Sequence, residues 1–158
     1  MEKEVVKKVS LQTIIELVKA DYANDISLCN GCIESDLKEC SQIVYVEAYL
    51  LSIVKNLISN AIKYRAPDRE PEIKISSETI DQYTLLTIAD NGLGINLKRH
   101  QDKLFKMFKR FHSHVTGSGI GLYIVNRLVE KQGGYIHVKS EVDKGTVFFV
   151  YFKNEEYK

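Results

Sequence analysis

Apolar residues fall at helical spacing in three stretches of the chain. Leu11, Ile14, Ile15 and Val18 follow Ser10, whose hydroxyl suits a helix N-cap. From Glu47 to Lys63 the stripe widens to Leu50, Ile53, Val54, Leu57, Ile58, Ala61 and Ile62, which predicts the strongest helix. Ile120 to Gln132 is the third helix, with Ile124, Val125, Leu128 and Val129 on its buried face and Gly133-Gly134 as its stop. Elsewhere the pattern shortens to that of strands. Ile43 to Val46 leads into the long helix, and Glu72 to Ser77 alternates, with Ile73 and Ile75 on one face. Thr84 to Ala89 is rich in β-branched and aliphatic residues, as a buried strand would be. The turn Ile80-Asp81-Gln82-Tyr83 predicts an antiparallel hairpin from these last two. Tyr135 to Ser140 and Thr146 to Phe152 form a second pair, joined at Val142-Asp143-Lys144-Gly145.

The remaining segments are less regular. Residues 1–8 read as a linker or a helix remnant, and 154–158 as a frayed tail. Asn24 to Gln42 is polar and turn-rich, so a loop with one or two short strands is expected. Pro67 and Pro71 bracket Asp68-Arg69-Glu70, which reads as a solvated turn. Helices and strands interleave but hairpins dominate. The expected fold is a two-layer α/β sandwich, with a mixed, largely antiparallel sheet covered by helices on one face.

At 158 residues the chain fits one domain with a substantial core. A formal net charge of +1 gives no electrostatic case for nucleic acid or an acidic membrane as partner. No apolar run approaches the roughly 18 residues that span a bilayer, and the charged start MEKEVVKK is unlike a signal peptide. Cys29 and Cys32 have the spacing of half a zinc site or a redox pair. Cys40 adds only a lone third member, so free thiols are expected for all three.

The chemistry gathers at Asp90. A buried strand runs into Asp90-Asn91-Gly92-Leu93-Gly94-Ile95, where the glycines permit a sharp turn and close approach by a ligand. An Asn-Gly hairpin turn is the plain alternative for those residues alone. Downstream, Gly117-Ser118-Gly119-Ile120-Gly121 opens a helix. Two glycine turns, one ending a strand and one starting a helix, suggest a nucleotide held between them. On the long helix, Asn56 and Asn60 are four residues apart and Lys63 lies one turn further along the same face. They offer amide oxygens to a hard cation such as Mg²⁺ and an ammonium to phosphate. Local backbone capping is the simpler role for either asparagine alone.

These motifs together resemble the boxes of sensor histidine kinases. Asn56 to Tyr64 is similar to the asparagine box, Asp90 to Ile95 to the first glycine box, and Leu104 to Phe108 to the phenylalanine box. Gly117 to Leu122 resembles the second glycine box, and Lys144-Gly145-Thr146 with Phe148 the closing strand motif. The resemblance implies the ATP-binding sandwich of Bergerat type, shared with DNA gyrase, mismatch-repair ATPases and a class of heat-shock chaperones. It implies that Asp90 accepts the adenine amino group, a contact that rejects guanine. It further implies that Asn60 ligates Mg²⁺ with Asn56 beside it, that Lys63 reaches the phosphates, and that Tyr64 stacks on the base, a core position being the plain alternative for that ring. Arg110 would approach the γ-phosphate from a short lid, while Gly117, Gly119, Gly121 and Leu122 would hold phosphate at a helix N-terminus. Thr146 would contact adenine through water. Gly92, Gly94, Ile95 and Phe105 would complete the nucleotide site. His112 and His114 receive no role, and Arg65, after Tyr64, reads equally as a surface charge or a second phosphate contact.

The same resemblance exposes an absence. The family's phosphoacceptor histidine lies in a dimerising helical hairpin and is followed by an acidic residue. Here His100, His112, His114 and His137 are followed by Gln, Ser, Val and Val. The expectation is therefore a catalytic domain, residues 9–153, that phosphorylates a separate hairpin in the cytoplasm and feeds a response-regulator receiver, the isolated domain being a monomer. Gyrase-like ATPases carry a glutamate where Asn56 stands, and an amide cannot take a proton from water. A clamp ATPase, a nucleotide-binding module without turnover and a serine kinase of the anti-sigma-factor type remain the alternatives.

Overall fold

The computed structural model describes residues 4–106 and 121–154. Its helical layer is built on the three amphipathic stripes. Helix α1 (Leu11–Asp21) starts where the Ser10 hydroxyl accepts from the Thr13 amide at 3.2 Å, and its four apolar residues are buried. A six-residue helix, α2 (Ala23–Leu28), follows it directly. Helix α3 (Glu47–Lys63) occupies the predicted span and buries all seven residues of its stripe. After a short α4 (Leu97–His100), helix α5 (Gly121–Lys131) buries Leu122, Val125 and Val129. Ile124 and Leu128, expected on its buried face, are only half-buried. Helices α1 and α5 pack on either side of α3.

Among the described residues seven strands accompany them: β1 (Val6–Ser10), β2 (Cys32–Asp36), β3 (Gln42–Val46), β4 (Glu72–Ile80), β5 (Tyr83–Asp90), β6 (Tyr135–Glu141) and β7 (Gly145–Lys153). The main sheet has the order β2-β4-β5-β7-β6; β2 lies parallel to β4 and the other pairs are antiparallel. Its inner face alternates as the pleat requires. Thr146, Phe148, Val150 and Phe152 of β7 are buried, and the residues between them are half-exposed. Tyr45 meets Phe152 edge-on at 5.0 Å, with both fully buried. Full burial of such side chains contributes about 1.5–3 kcal/mol each.

Two expectations fail here. Residues 6–8 are neither linker nor helix remnant: β1 pairs antiparallel with β3, from Val6 opposite Val46 to Ser10 opposite Gln42. Val9 is its buried anchor, while Val6, Lys7 and Lys8 stay exposed, which hides the alternation. The segment expected as a loop from 24 to 42 does carry a strand, but Ile26 to Leu28 close a helix. Cys29, Cys32 and Cys40 are free thiols; Cys29 donates to the Asp25 carbonyl and Cys40 to that of Gln42. No helix among the described residues is long and apolar enough to cross a membrane.

Candidate functional site

Strand β5 runs through the middle of the sheet, and Asp90 is its last residue, opposite Ile73 of β4 and Thr146 of β7. One oxygen, Oδ1, accepts both the Gly92 amide at 2.8 Å and the Thr146 amide at 3.3 Å. Burial nevertheless dominates. It pushes the Asp90 carboxyl up to about 6, against the lowering effect of those two hydrogen bonds. The Asp90–Asn91–Gly92 turn does not start a hairpin, because β5 is already paired on both edges.

The loop after Asp90 is fixed almost entirely through its backbone. The Leu93 amide donates to the Tyr64 carbonyl at 2.9 Å, and the Leu93 carbonyl accepts from the Asp143 amide at 2.8 Å. Gly92 lies so close to Tyr64 that a Cβ would sit 2.5 Å from that carbonyl oxygen. Gly94 has φ +72°, and its Cβ would lie 2.0 Å from the Glu141 carbonyl oxygen. Only glycine satisfies both conditions there. The Ile95 amide donates to Ser140 Oγ at 2.7 Å, and that hydroxyl is 2.7 Å from Thr146 Oγ1. The α3–β4 connection, the glycine loop and the β6–β7 turn thus form one interlocked unit.

The polar face of α3 is held more lightly. Asn56 Nδ2 donates to the Ser52 carbonyl at 2.8 Å and lies 3.3 Å from Ser52 Oγ. That orientation turns Oδ1 toward the start of α5, 3.0 Å from where a Cβ on Gly121 would stand. Asn60 is half-buried one turn later, and Lys63 is exposed at the helix end. Arg65 donates from Nη1 to the Ile62 carbonyl at 2.9 Å, which caps the last turn of α3. Phe105 and Ile95 are half-buried against the core beside buried Leu104. Among the described residues no group of three or more His, Cys, Asp and Glu side chains could hold a metal. A cation there would take amide oxygens, which suits a hard ion completing its shell with water and phosphate. Arg110, Gly117 and Gly119, along with His112 and His114, lie outside the described residues.

Residues 45–156 match the family of histidine kinase-, DNA gyrase B- and HSP90-like ATPases. The chain belongs to that family. The sensor protein RprX of Bacteroides fragilis (strain YCH46) is 28% identical over 149 residues, 91% of this chain and 28% of RprX. The catalytic domain of the histidine kinase ThkA superposes with a TM-score of 0.80 at 22% identity, covering 98% of this chain and 97% of that one. Full-length ShkA in complex with AMPPNP gives 0.82 at 21% identity, covering 99% of this chain and 33% of that one. These two likenesses show the fold, an α/β sandwich. This chain is a histidine-kinase-like ATPase domain of the kind sensor kinases carry, and it spans about a quarter of RprX's length.

Within this ATPase domain the structure brings Tyr64, Asp90, Gly92, Gly94, Ile95 and Thr146 into one connected region, and sets Asn56 against Gly121 in a second contact between α3 and α5. Two further participants went unforeseen. Arg69, expected in a solvated turn, points inward and donates from Nε to the Asn91 carbonyl at 2.6 Å. Its Nη2 donates to the carbonyls of Gly92 at 2.8 Å and Asp143 at 2.7 Å. Its position between two prolines was a faint signal. Ser140 left a clearer one, as a hydroxyl at an inward position of β6 after Ile136 and Val138.

Proposed function

We propose that this domain binds Mg-ATP and transfers the γ-phosphoryl group to a histidine on a separate, dimeric helical hairpin, acting on the cytoplasmic side in two-component signal transduction. One observation carries the reading: Asp90 is a carboxylate at the end of a buried strand, anchored through a single oxygen beside a glycine loop. Held this way, it accepts an exocyclic amino group and repels the O6 of guanine. Tyr64 stacks on the base, Thr146 reaches it through water, and Gly92, Gly94, Ile95 and Phe105 enclose it. Asn60 and Asn56 would hold Mg²⁺ by their amide oxygens, and the ion would neutralise phosphate charge. Lys63 and Arg110 approach the phosphates. Gly121 and Leu122 lie at the start of α5, where an anion is favoured, and Gly117 and Gly119 would add their amides to the same phosphates.

Transfer rather than hydrolysis follows from Asn56. Its Nδ2 already donates to Ser52, and its oxygen is an amide's, with no basicity to take a proton from water. The γ-phosphoryl group therefore waits for an external nucleophile that is aligned with it. An imidazole nitrogen of the hairpin attacks phosphorus, the bond to the bridging oxygen breaks, and ADP leaves. The phosphohistidine would then supply a response-regulator receiver, and the domain alone is a monomer.

The test is incubation with γ-labelled ATP, with and without a dimeric hairpin from a related sensor kinase. We expect acid-labile, base-stable label on the hairpin, and neither self-labelling nor fast phosphate release by the chain alone. Acid-stable, base-labile label on a partner would indicate serine transfer. Rapid phosphate release by the chain alone would replace the kinase with a clamp ATPase.

A further inference from the structure

We propose that Arg69 is a positioning residue for nucleotide selection, a clamp that fixes the two peptide units on either side of Gly92 and through them the Asp90 carboxylate. The inference rests on the adenine role given to Asp90 above. Consider the peptide between Asn91 and Gly92. Its carbonyl accepts from Arg69 Nε at 2.6 Å, and its N–H donates to Asp90 Oδ1 at 2.8 Å. The next peptide repeats the arrangement: the Gly92 carbonyl accepts from Arg69 Nη2 at 2.8 Å, and the Leu93 N–H donates to the Tyr64 carbonyl at 2.9 Å. A trans peptide is planar, with its C=O and N–H pointing opposite ways, so a partner at each end removes its freedom to rotate.

A guanidinium suits this task better than an ammonium would. Its donors lie in one rigid plane and serve several acceptors at once. Charge-assisted bonds are about twice as strong as neutral ones. Polarising a carbonyl also strengthens the N–H of the same peptide as a donor, so Arg69 tightens the grip on Asp90 without touching it. The third carbonyl, that of Asp143 at 2.7 Å, ties the β6–β7 turn to the same guanidinium, while Nη1 pairs with Asp68 at 3.0 Å. All three guanidinium nitrogens are thus engaged within the fold. The Asn91 side chain braces the other side, accepting from the Glu72 amide at 2.9 Å and donating to the Glu70 carbonyl at 3.0 Å. Arg69 and Asn91 together lock the turn between the two prolines onto the glycine loop.

The experiment measures Kd for Mg-ATP and Mg-GTP by calorimetry on wild type, Arg69→Met, Arg69→Lys and Asp90→Asn, with a thermal melt of each. For Arg69→Met we expect ATP affinity to fall about tenfold, on the order of one charged hydrogen bond, with GTP affinity changed much less. The ratio of the two constants is the decisive readout, because simple destabilisation weakens both nucleotides alike. Arg69→Lys keeps the charge but loses the planar fork, and should fall between. If Arg69→Met fails to fold, the ratio in Arg69→Lys decides by itself. An unchanged ratio in the folded Arg69 variants, with Asp90→Asn impaired, overturns the clamp while sparing the adenine contact. An Asp90→Asn variant that binds both nucleotides like wild type overturns the adenine contact itself, and the role of Arg69 with it.

Discussion

The two halves of the candidate site are built in different ways. Around Asp90, glycine-loop amides and carbonyls are held by Asp90 Oδ1, Arg69, Tyr64 and Asp143, so the contact geometry is set before any ligand arrives. Along α3, Asn56, Asn60 and Lys63 are side chains on a helix face, and of these Asn56 is tied down, through Ser52. Under the proposed function the contrast follows from what each half would recognise. A flat, neutral base needs fixed donors and acceptors, because its selection depends on angle as well as distance. A triphosphate with a cation carries charge enough to order flexible partners itself.

The largest effect should come from breaking the preorganised half at its tightest contact. Gly94→Ala places a Cβ against the Glu141 carbonyl and forces a left-handed φ on alanine. We expect a stability loss of about 3–5 kcal/mol, read as a lower urea midpoint. A wild-type midpoint would mean that the loop and the β6–β7 turn are not locked together.

Asp90→Asn should next separate binding from stability. The amide keeps an acceptor for Gly92 and Thr146 but loses the charge, so ATP affinity should drop by about 1.5–3 kcal/mol. Stability at neutral pH should hold or rise, because a desolvated anion has been removed. The pH dependence carries the same signature with opposite signs. The carboxyl of the folded, nucleotide-free domain lies near 6, above its ordinary 3.8. Its contribution to stability is therefore fully present below the unfolded value and is lost as pH rises through about 6. ATP affinity should move the other way, rising over that window as the acceptor ionises. Titrations at pH 5 and 7 that give equal ATP affinity in wild type would remove the ionised acceptor from the mechanism.

How much of this the sequence could show depends on the range of the interactions. Helix α3 was legible to the residue because its stripe and its ends are local, and Asp90 because a carboxylate finishing a buried strand is conspicuous. Strand β1 was not, since two lysines and an exposed valine mask a single buried anchor. Arg69 stayed hidden for another reason. Its acceptors are main-chain carbonyls 22, 23 and 74 residues away, and carbonyls have no sequence identity. Tyr64 gives a mixed case: the residue was marked for its ring, yet its carbonyl is what holds the glycine loop.

On the α3 side smaller effects are expected. Asn60→Ala removes an amide from a half-buried position and should leave the urea midpoint nearly unchanged. It should instead abolish part of the tightening that Mg²⁺ gives to ATP, by about 1–2 kcal/mol. Calorimetry with and without Mg²⁺ reads this directly. An equal Mg²⁺ increment in mutant and wild type would exclude Asn60 as a ligand.

The smallest effect sharpens where the charged half ends. Arg65 follows Tyr64 and, on sequence alone, served equally well as a surface charge or a second phosphate contact. Its Nη1 donates to the Ile62 carbonyl at 2.9 Å, three residues back, adding a charged donor to a C-terminal acceptor that the Arg65 amide reaches only at 3.3 Å. A cation there also complements the negative end of the α3 dipole. Arg65→Ala should therefore cost about 0.5–1.5 kcal/mol of stability while ATP and GTP affinities stay at wild-type values. Arg65→Lys, which keeps the charge at the helix end, should recover part of the loss. A variant that melts normally but binds all nucleoside triphosphates more weakly would move Arg65 into the phosphate site, and the lightly held half would then extend past the end of α3.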